Sequence, residues 1–323
     1  MPKPKLAVYW AASCGGCDIA ILDIEDKILA VADFFDLCLW PCAADFKYAD
    51  VRAMDDKSIT LTLFNGAIRN SENYEIARLL RGKSVVLAAF GSCATEGGIP
   101  GLANLTGKEA ILDYVYIKSP STVNPDKIYP QPRCKVPEGE IYIPEMWNTV
   151  RALHQVIDVD YIIPGCPPQS DQIAAVVGAV IDILSTGKPL PPKGTVLGAS
   201  EKSCCDECPR KRDVKKITKF RRPFEGPTDP DICLMEQGLV CLGPATRSGC
   251  GAKCVSAGMP CRGCYSLPAN VRDQGAKMVS ALASVVDSTD PTEIDRIIAT
   301  IPDPVGTFYR FSLAESFLRR KQA

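Results

Sequence analysis

Two groups of cysteines carry the chemistry this chain can do. Cys14 and Cys17 lie in SCGGC, Cys93 in GSCATEGG and Cys166 in PGCPP. Nine of the sixteen cysteines then crowd together as Cys204, Cys205, Cys208, Cys233, Cys241, Cys250, Cys254, Cys261 and Cys264. Cys205-x2-Cys208 and Cys261-x2-Cys264 are chelating pairs. Four thiolates complete either a tetrahedral zinc or a cubane iron–sulfur cluster. Eight ligands beyond residue 200 make two such sites. Two zinc ribbons are the alternative reading of that spacing. A third four-cysteine set in the same chain favours iron, because three clusters in a row form a wire rather than a scaffold.

The elements that position the first set follow from hydrophobic patterning. Lys5–Trp10, Phe35–Trp40, Ile59–Phe64, Val85–Phe90 and Tyr161–Pro164 read as short buried strands. Asp18–Ala32, Ser71–Arg81 (Ser71 as cap, Gly82 as stop) and Gln169–Leu184 have helical spacing. This β-α alternation predicts a doubly wound, mostly parallel sheet. Cys14 and Cys17 follow the first strand, Cys93 the fourth and Cys166 the fifth. The carboxyl ends of parallel strands form one crevice, so the four thiols converge there. Nearby glycines leave room for a bulky inorganic core, and Pro164, Pro167 and Pro168 stiffen the Cys166 loop.

The chain has 323 residues, 46% hydrophobic and 23% charged, with net charge −1 and a single histidine. Such a balance argues against a nucleic-acid partner. One histidine nearly removes imidazole metal sites and His general-base catalysis. No run of 18 apolar residues predicts membrane insertion, and no secretory signal opens the chain, so a cytoplasmic location with reduced thiols is expected. The Pro-rich Lys188–Lys193 suggests a boundary, giving 1–190, a cysteine-rich 191–270 and a helical tail over 271–323 that includes Ala314–Arg320. The Pro/Gly-rich stretch 97–145 reads as a long functional or interface loop.

These motifs, with CDECPR and CLGPATRSGCGAKCVSAGMPCRGC, resemble the small, electron-transferring subunit of [NiFe] hydrogenases. The likeness is greatest to the cytoplasmic viologen-reducing type that works with heterodisulfide reductase; the deazaflavin-reducing hydrogenase is a close relative. The resemblance implies a flavodoxin-like domain followed by an irregular, cluster-stapled one, and a large-subunit partner holding nickel and iron. It implies that Cys14, Cys17, Cys93 and Cys166 hold the proximal cluster. Cys205, Cys208, Cys233 and Cys241 then hold the distal cluster, and Cys250, Cys254, Cys261 and Cys264 the medial one. Relatives with a His ligand have it where Cys205 stands, and Cys254 restores a medial ligand that others lack. Three [4Fe-4S] clusters are expected, all-thiolate and low in potential.

Electrons from hydrogen would thus leave by the distal cluster to a small iron–sulfur or flavin partner such as heterodisulfide reductase. No catalytic residue is assigned to this chain, and no flavin, since cysteines fill the crevice. Cys205 is preferred to Cys204 for its x2 spacing to Cys208. Cys38, Cys42 and Cys134 are left as core or loop thiols, and His154 as a structural residue on a helix. Residues 209–222 carry eight basic side chains against one acidic, either a solvated face or a docking patch for an acidic partner. A respiratory quinone-reducing subunit shares PGCPP but has adjacent cysteines at its first motif and no second cluster domain. A zinc-stapled interaction protein is the alternative from another class.

Overall fold

The strand β1 (Lys5–Trp10) is apolar over Leu6–Tyr9, the residues covered on both faces. The structure, a computed structural model, describes residues 2–213 and 217–318. β1 is flanked by β2 (Asp36–Leu39) and β3 (Ile59–Asn65); β4 (Ser84–Phe90) and β5 (Tyr161–Ile163) follow. All pairings are parallel, in the order β2-β1-β3-β4-β5. This is the doubly wound α/β sheet that the patterning predicts, and its order is flavodoxin-like. One face is packed by Ile21, Ile24, Val31 and Ile173, the other by Val51, Ile76, Leu80 and Leu153.

The helices depart from expectation at their ends. Asp18–Ala32 is not one helix. It is α1 (Gly16–Leu22) and α2 (Ile28–Phe34), separated by a 3-10 turn at Glu25–Lys27 where Glu25 has φ +58°. The break keeps Ile21, Ile24 and Val31 on the sheet while the chain turns. In α3 (Ser71–Lys83) the cap is Asn70, whose side chain accepts from Asn73 N at 2.8 Å, and the helix runs through Gly82 into β4. α4 (Ser170–Thr186) ends on left-handed Gly187. His154 lies on a 3-10 turn, Leu153–Gln155, rather than a helix. Ala314–Leu318 form turns instead of a helix, and the Phe317 amide is spent on Asp273 Oδ2 at 2.8 Å; Arg319 and Arg320 lie outside the described residues.

Residues 97–145 hold short helical turns and one hairpin, Arg133–Val136 with Gly139–Tyr142. Val123 is 93% exposed and Ile128 66%, so this arm presents apolar surface. Beyond the sheet a separate core gathers Cys204, Phe220, Leu234 and Leu239, joined by Met278, Ile297, Phe308 and Leu313 from the tail. No helix among the described residues is long and apolar enough to cross a membrane.

The passage from sheet to second core is tied by one buried carboxylate. Asp160, at the start of β5, is 3% exposed. It accepts from Arg81 Nη1 at 2.6 Å, Leu87 N at 2.9 Å and Lys193 Nζ at 2.7 Å. Tyr161 Oη also donates to Pro191 O, so the Pro-rich segment is pinned along β5. Burial would raise the Asp160 pKa, but Lys193 and Arg81 outweigh it and hold the carboxyl below the ordinary carboxylate range. Its stabilisation is therefore complete above the ordinary carboxylate pKa and is lost as pH falls through the depressed folded value. Asp160→Ala should cost about 3 kcal/mol in urea denaturation at neutral pH, because Arg81 is left unpaired. The loss should shrink below pH 4; a pH-independent difference would show that the carboxylate's charge is not what matters.

Candidate functional site

Backbone geometry brings the first four thiols together. Past β1, Ala11 N donates to Asn65 O at 2.8 Å and Ala12 N to Ala67 O at 3.1 Å. These bonds carry the Cys14–Cys17 loop across the end of β3 towards β4 and β5. Cys93 and Cys166 follow those strands directly. The Cys17 thiol lies within electrostatic reach of Cys93, Cys166 and Cys14. Cys17 and Cys93 are buried, while Cys14 and Cys166 face outward. Gly91 has φ +82°, and a Cβ there would stand 2.3 Å from Cys17 Sγ. At Gly98, φ +55°, it would stand 2.6 Å from Cys93 Sγ. Both positions therefore exclude other residues, for backbone and for space.

A polar layer that the motifs did not reveal fixes this loop. Asp18 is 4% exposed and accepts from Trp40 Nε1 at 2.9 Å and Asn65 Nδ2 at 2.6 Å. The acid sits beside Cys17 in α1, the amide ends β3 and the indole follows β2, so two strand ends are tied to the helix that starts the first cysteine loop. Only the unusual polar residue closing an apolar strand, Asn65, could have signalled this from sequence. Behind Cys93, Glu96 is buried and close to Glu315, and burial raises its pKa well above the ordinary carboxylate value.

The second and third sets lie in the other core. Cys205, Cys208, Cys233 and Cys241 line one small cavity together with Arg212 and Gly243. A Cβ on Gly243 would be 2.9 Å from Cys205 Sγ. Cys250, Cys254, Cys261 and Cys264 lie within mutual electrostatic reach. Cys204 is 2% exposed; it lines the same small cavity as the Cys205 set, and its sulfur lies within 4.8 Å of Cys250 Sγ. Cys38 is a core thiol donating to Leu6 O at 3.3 Å; Cys42 and Cys134 are exposed and belong to no set.

The sets are joined in a row. Ser92 Oγ donates to Cys264 O at 2.5 Å, and the Cys264 thiol lies within electrostatic reach of Cys166. Tyr265 Oη bonds the Gln172 side chain of α4. On the far side Cys261 N donates to Cys241 Sγ at 3.3 Å. The order is thus Cys14/Cys17/Cys93/Cys166, then the Cys250–Cys264 set, then the set of Cys205.

The donor chemistry fits metal centres. Burial, then repulsion from neighbouring sulfurs, pushes the Cys93 thiol up to about 12. Burial chiefly does the same at Cys241, to about 12, and at Cys205, to about 11. Thiols so placed ionise when a bound cation compensates their charge.

Comparison with known proteins bears on what these centres serve. The family described as NADH ubiquinone oxidoreductase, 20 Kd subunit, matches residues 14–180. The iron–sulfur subunit of the F420-non-reducing hydrogenase from Archaeoglobus profundus is 40% identical, with 98% of each chain covered. The corresponding subunit of the F420-non-reducing hydrogenase from Methanothermobacter marburgensis is 37% identical, over 99% of this chain and 97% of that one. The chain belongs to this family of hydrogenase iron–sulfur subunits. In fold alone, it resembles a chain of the [NiFeSe] hydrogenase from Desulfovibrio vulgaris Hildenborough, which is 17% identical with a TM-score of 0.53, over 84% of this chain and 95% of that one. This hydrogenase subunit is thus an oxidoreductase component, and the quinone-reductase family shares only its sheet half.

The basic segment of the hydrogenase subunit is not one uniform face. Arg210 is 9% exposed and donates to Val255 O, Asp229 O and Ile232 O. Arg221 likewise serves Gln237 O, Gly226 O and Pro227 O. Arg212 stands beside Cys205, and Lys211 and Lys219 are exposed. Lys215 and Lys216 lie outside the described residues.

His154 Nε2 meets Glu315 Oε1 at 2.6 Å behind the Cys93 loop. Burial lowers its pKa, but the Glu315 hydrogen bond and charge outweigh burial and raise it above the ordinary value. Stability from this pair is full below the ordinary imidazole pKa and is lost as pH rises through the raised one. As the sole histidine, its NMR titration is unambiguous. The midpoint should lie above 6.5, and Glu315→Gln should lower it. An unmoved midpoint would detach His154 from Glu315.

Proposed function

We propose that this chain is the electron-relay subunit of a heteromeric [NiFe] hydrogenase, holding three [4Fe-4S] clusters. The linear order of three four-thiol sets, each stitched to the next by a hydrogen bond, is the observation that carries this reading. Cys14, Cys17, Cys93 and Cys166 hold the proximal cluster, Cys250, Cys254, Cys261 and Cys264 the medial one, and Cys205, Cys208, Cys233 and Cys241 the distal one. The clusters supply one-electron storage at low potential. The protein's own part is to bury the sulfurs, orient them through Asp18, Ser92 and the glycines, and exclude water.

Hydrogen chemistry belongs to a large subunit that carries the nickel–iron centre and seats on the proximal end. Beyond the distal end we place a small iron–sulfur acceptor and a heterodisulfide reductase, in the cytoplasm. The description borne by the archaeal relatives, F420-non-reducing, favours this acceptor over the deazaflavin coenzyme. Residues 1–190 form the flavodoxin-like domain, 191–270 the two-cluster domain and 271–323 its helical cover. No flavin is assigned to this chain.

Metal analysis of the purified complex, corrected for its other subunits, should return about twelve irons in this chain with matching sulfide. Two or more zincs and no brown colour would sink the proposal in favour of a zinc-stapled protein. Gly91→Ala should remove about four irons and leave the other eight or so, because only the proximal sulfurs are displaced. Exposed Lys211 and Lys219 flank the distal set. Their joint reversal to Glu should slow reduction of the native acceptor and weaken its salt dependence. Equal rates would reduce the segment to a solvated face.

A further inference from the structure

The 3-10 turn Pro223–Glu225, the loop 259–262 and the stretch 302–310 frame an open cleft of about 660 Å³ on the second core. Its floor is apolar, with Leu239 fully buried and Pro260 beside it. Its walls are cationic, because Arg222, Arg262 and Arg310 all face it. Among the described residues none of these three makes an ion pair. Burial first, and then the charges of Arg310 and Arg222, push the Arg262 pKa below its ordinary value. The guanidiniums thus oppose one another across the cleft.

The acids at hand are turned to the backbone. Asp303 lines the cleft, but its Oδ1 accepts from Gly306 N at 3.1 Å. Glu225 Oε1 accepts from Arg222 N at 2.7 Å, not from the guanidinium. Two large apolar side chains stand at the rim, Phe224 at 81% exposed and Met259 at 42%. No glycine lines the cleft, so it lacks the amide cradle of a nucleotide phosphate site. Cations around exposed apolar surface fit an acidic polypeptide that also carries apolar side chains. The cleft borders the central sulfur set as well. Met259 N donates to Cys254 O at 2.9 Å, and Cys254 is the exposed member of that set.

We propose that this cleft docks an acidic segment of a protein partner and that the docked segment covers Cys254. Its carboxylates meet Arg222, Arg262 and Arg310, and its apolar side chains pack on Phe224 and Met259. Docking relieves the repulsion among the guanidiniums, since each gains a charge of opposite sign. It is a second contact, separate from the exposed lysines that flank the distal set. The cleft and its charge are independent of the iron–sulfur reading above; the shielding of a cluster at Cys254 rests on it.

The test is photo-cross-linking in the intact purified complex through Phe224→p-benzoylphenylalanine, with iron analysis on the same samples. The cross-link should map to a segment of another subunit rich in Asp and Glu. Its yield should fall severalfold as salt is raised, because screening weakens the attraction. Adding Arg222→Glu and Arg310→Glu together should cut the yield about tenfold, while the paired Lys variants keep most of it. Arg222→Glu alone, on the exposed rim, should lower it even where the Arg310 change disturbs folding. A cross-link confined to this chain, one to a segment without acidic residues, or a yield indifferent to salt and to Arg222→Glu would overturn the inference. A nucleotide that co-purifies with the wild-type complex and is lost with these arginines would overturn it too. Wild-type complex with no iron in this chain would instead overturn the relay and leave the cross-link to stand, so the two failures are distinguishable.

Discussion

A row of closely gathered sulfurs, with Cys17, Cys93, Cys241 and Cys261 buried, is the constraint on which the rest of this molecule depends. Cys17, Cys93 and Cys241 are held near other sulfurs whose negative charge opposes their ionisation, in surroundings that penalise charge. No arrangement of apolar side chains compensates for that; a cation does. The fold accordingly devotes its rigid parts to holding sulfurs. Three strand ends supply the first set, and Gly91 and Gly98 give up side chains so that Cys17 and Cys93 have room. The second core has little regular structure, and its buried residues include Cys204, Cys241 and Cys261. In such a segment metal binding and folding are one free energy.

The strands were legible because each is a short run buried on two faces, which needs no knowledge of its partners. The convergence of Cys14, Cys17, Cys93 and Cys166 was legible for the same reason: parallel strands bring their carboxyl ends to one edge. The breaks and caps were not. Ile21, Ile24 and Val31 keep helical spacing across a point where the backbone is not helical, so periodicity alone could not locate the turn at Glu25. Ser71 and Asn70 are both good caps, and the choice rests on Asn73 N. Ala314–Leu318 has helical composition, but Asp273 takes the Phe317 amide from much earlier in the chain.

The polar contacts that organise the site were the least legible. Asp18, Asn65 and Trp40 are far apart in sequence and meet only because β1, β3 and β2 are neighbours. Composition likewise overstated the basic segment. Eight positive side chains in a short stretch read as one surface, yet Arg210 and Arg221 are spent on backbone carbonyls of the irregular core. Where a chain lacks helices and strands its carbonyls need donors from elsewhere, and a guanidinium supplies several at once.

The same reasoning explains the linkage of one sulfur set to the next. Ser92 follows β4 and precedes Cys93, so its hydroxyl is fixed by the first set while it holds the carbonyl of Cys264 in the second. The Cys261 amide is fixed by the second set while it donates to Cys241 in the third. Each junction is made by a group next to, or belonging to, a sulfur-bearing residue, so the spacing between sets varies little when either set moves. The relay proposed for this chain needs this: transfer between centres depends on their separation, and residues without structure of their own could not otherwise keep it constant. The economy of histidine fits as well. His154 is spent on Glu315 behind the Cys93 loop, which leaves sulfur as the donor at every position along the row.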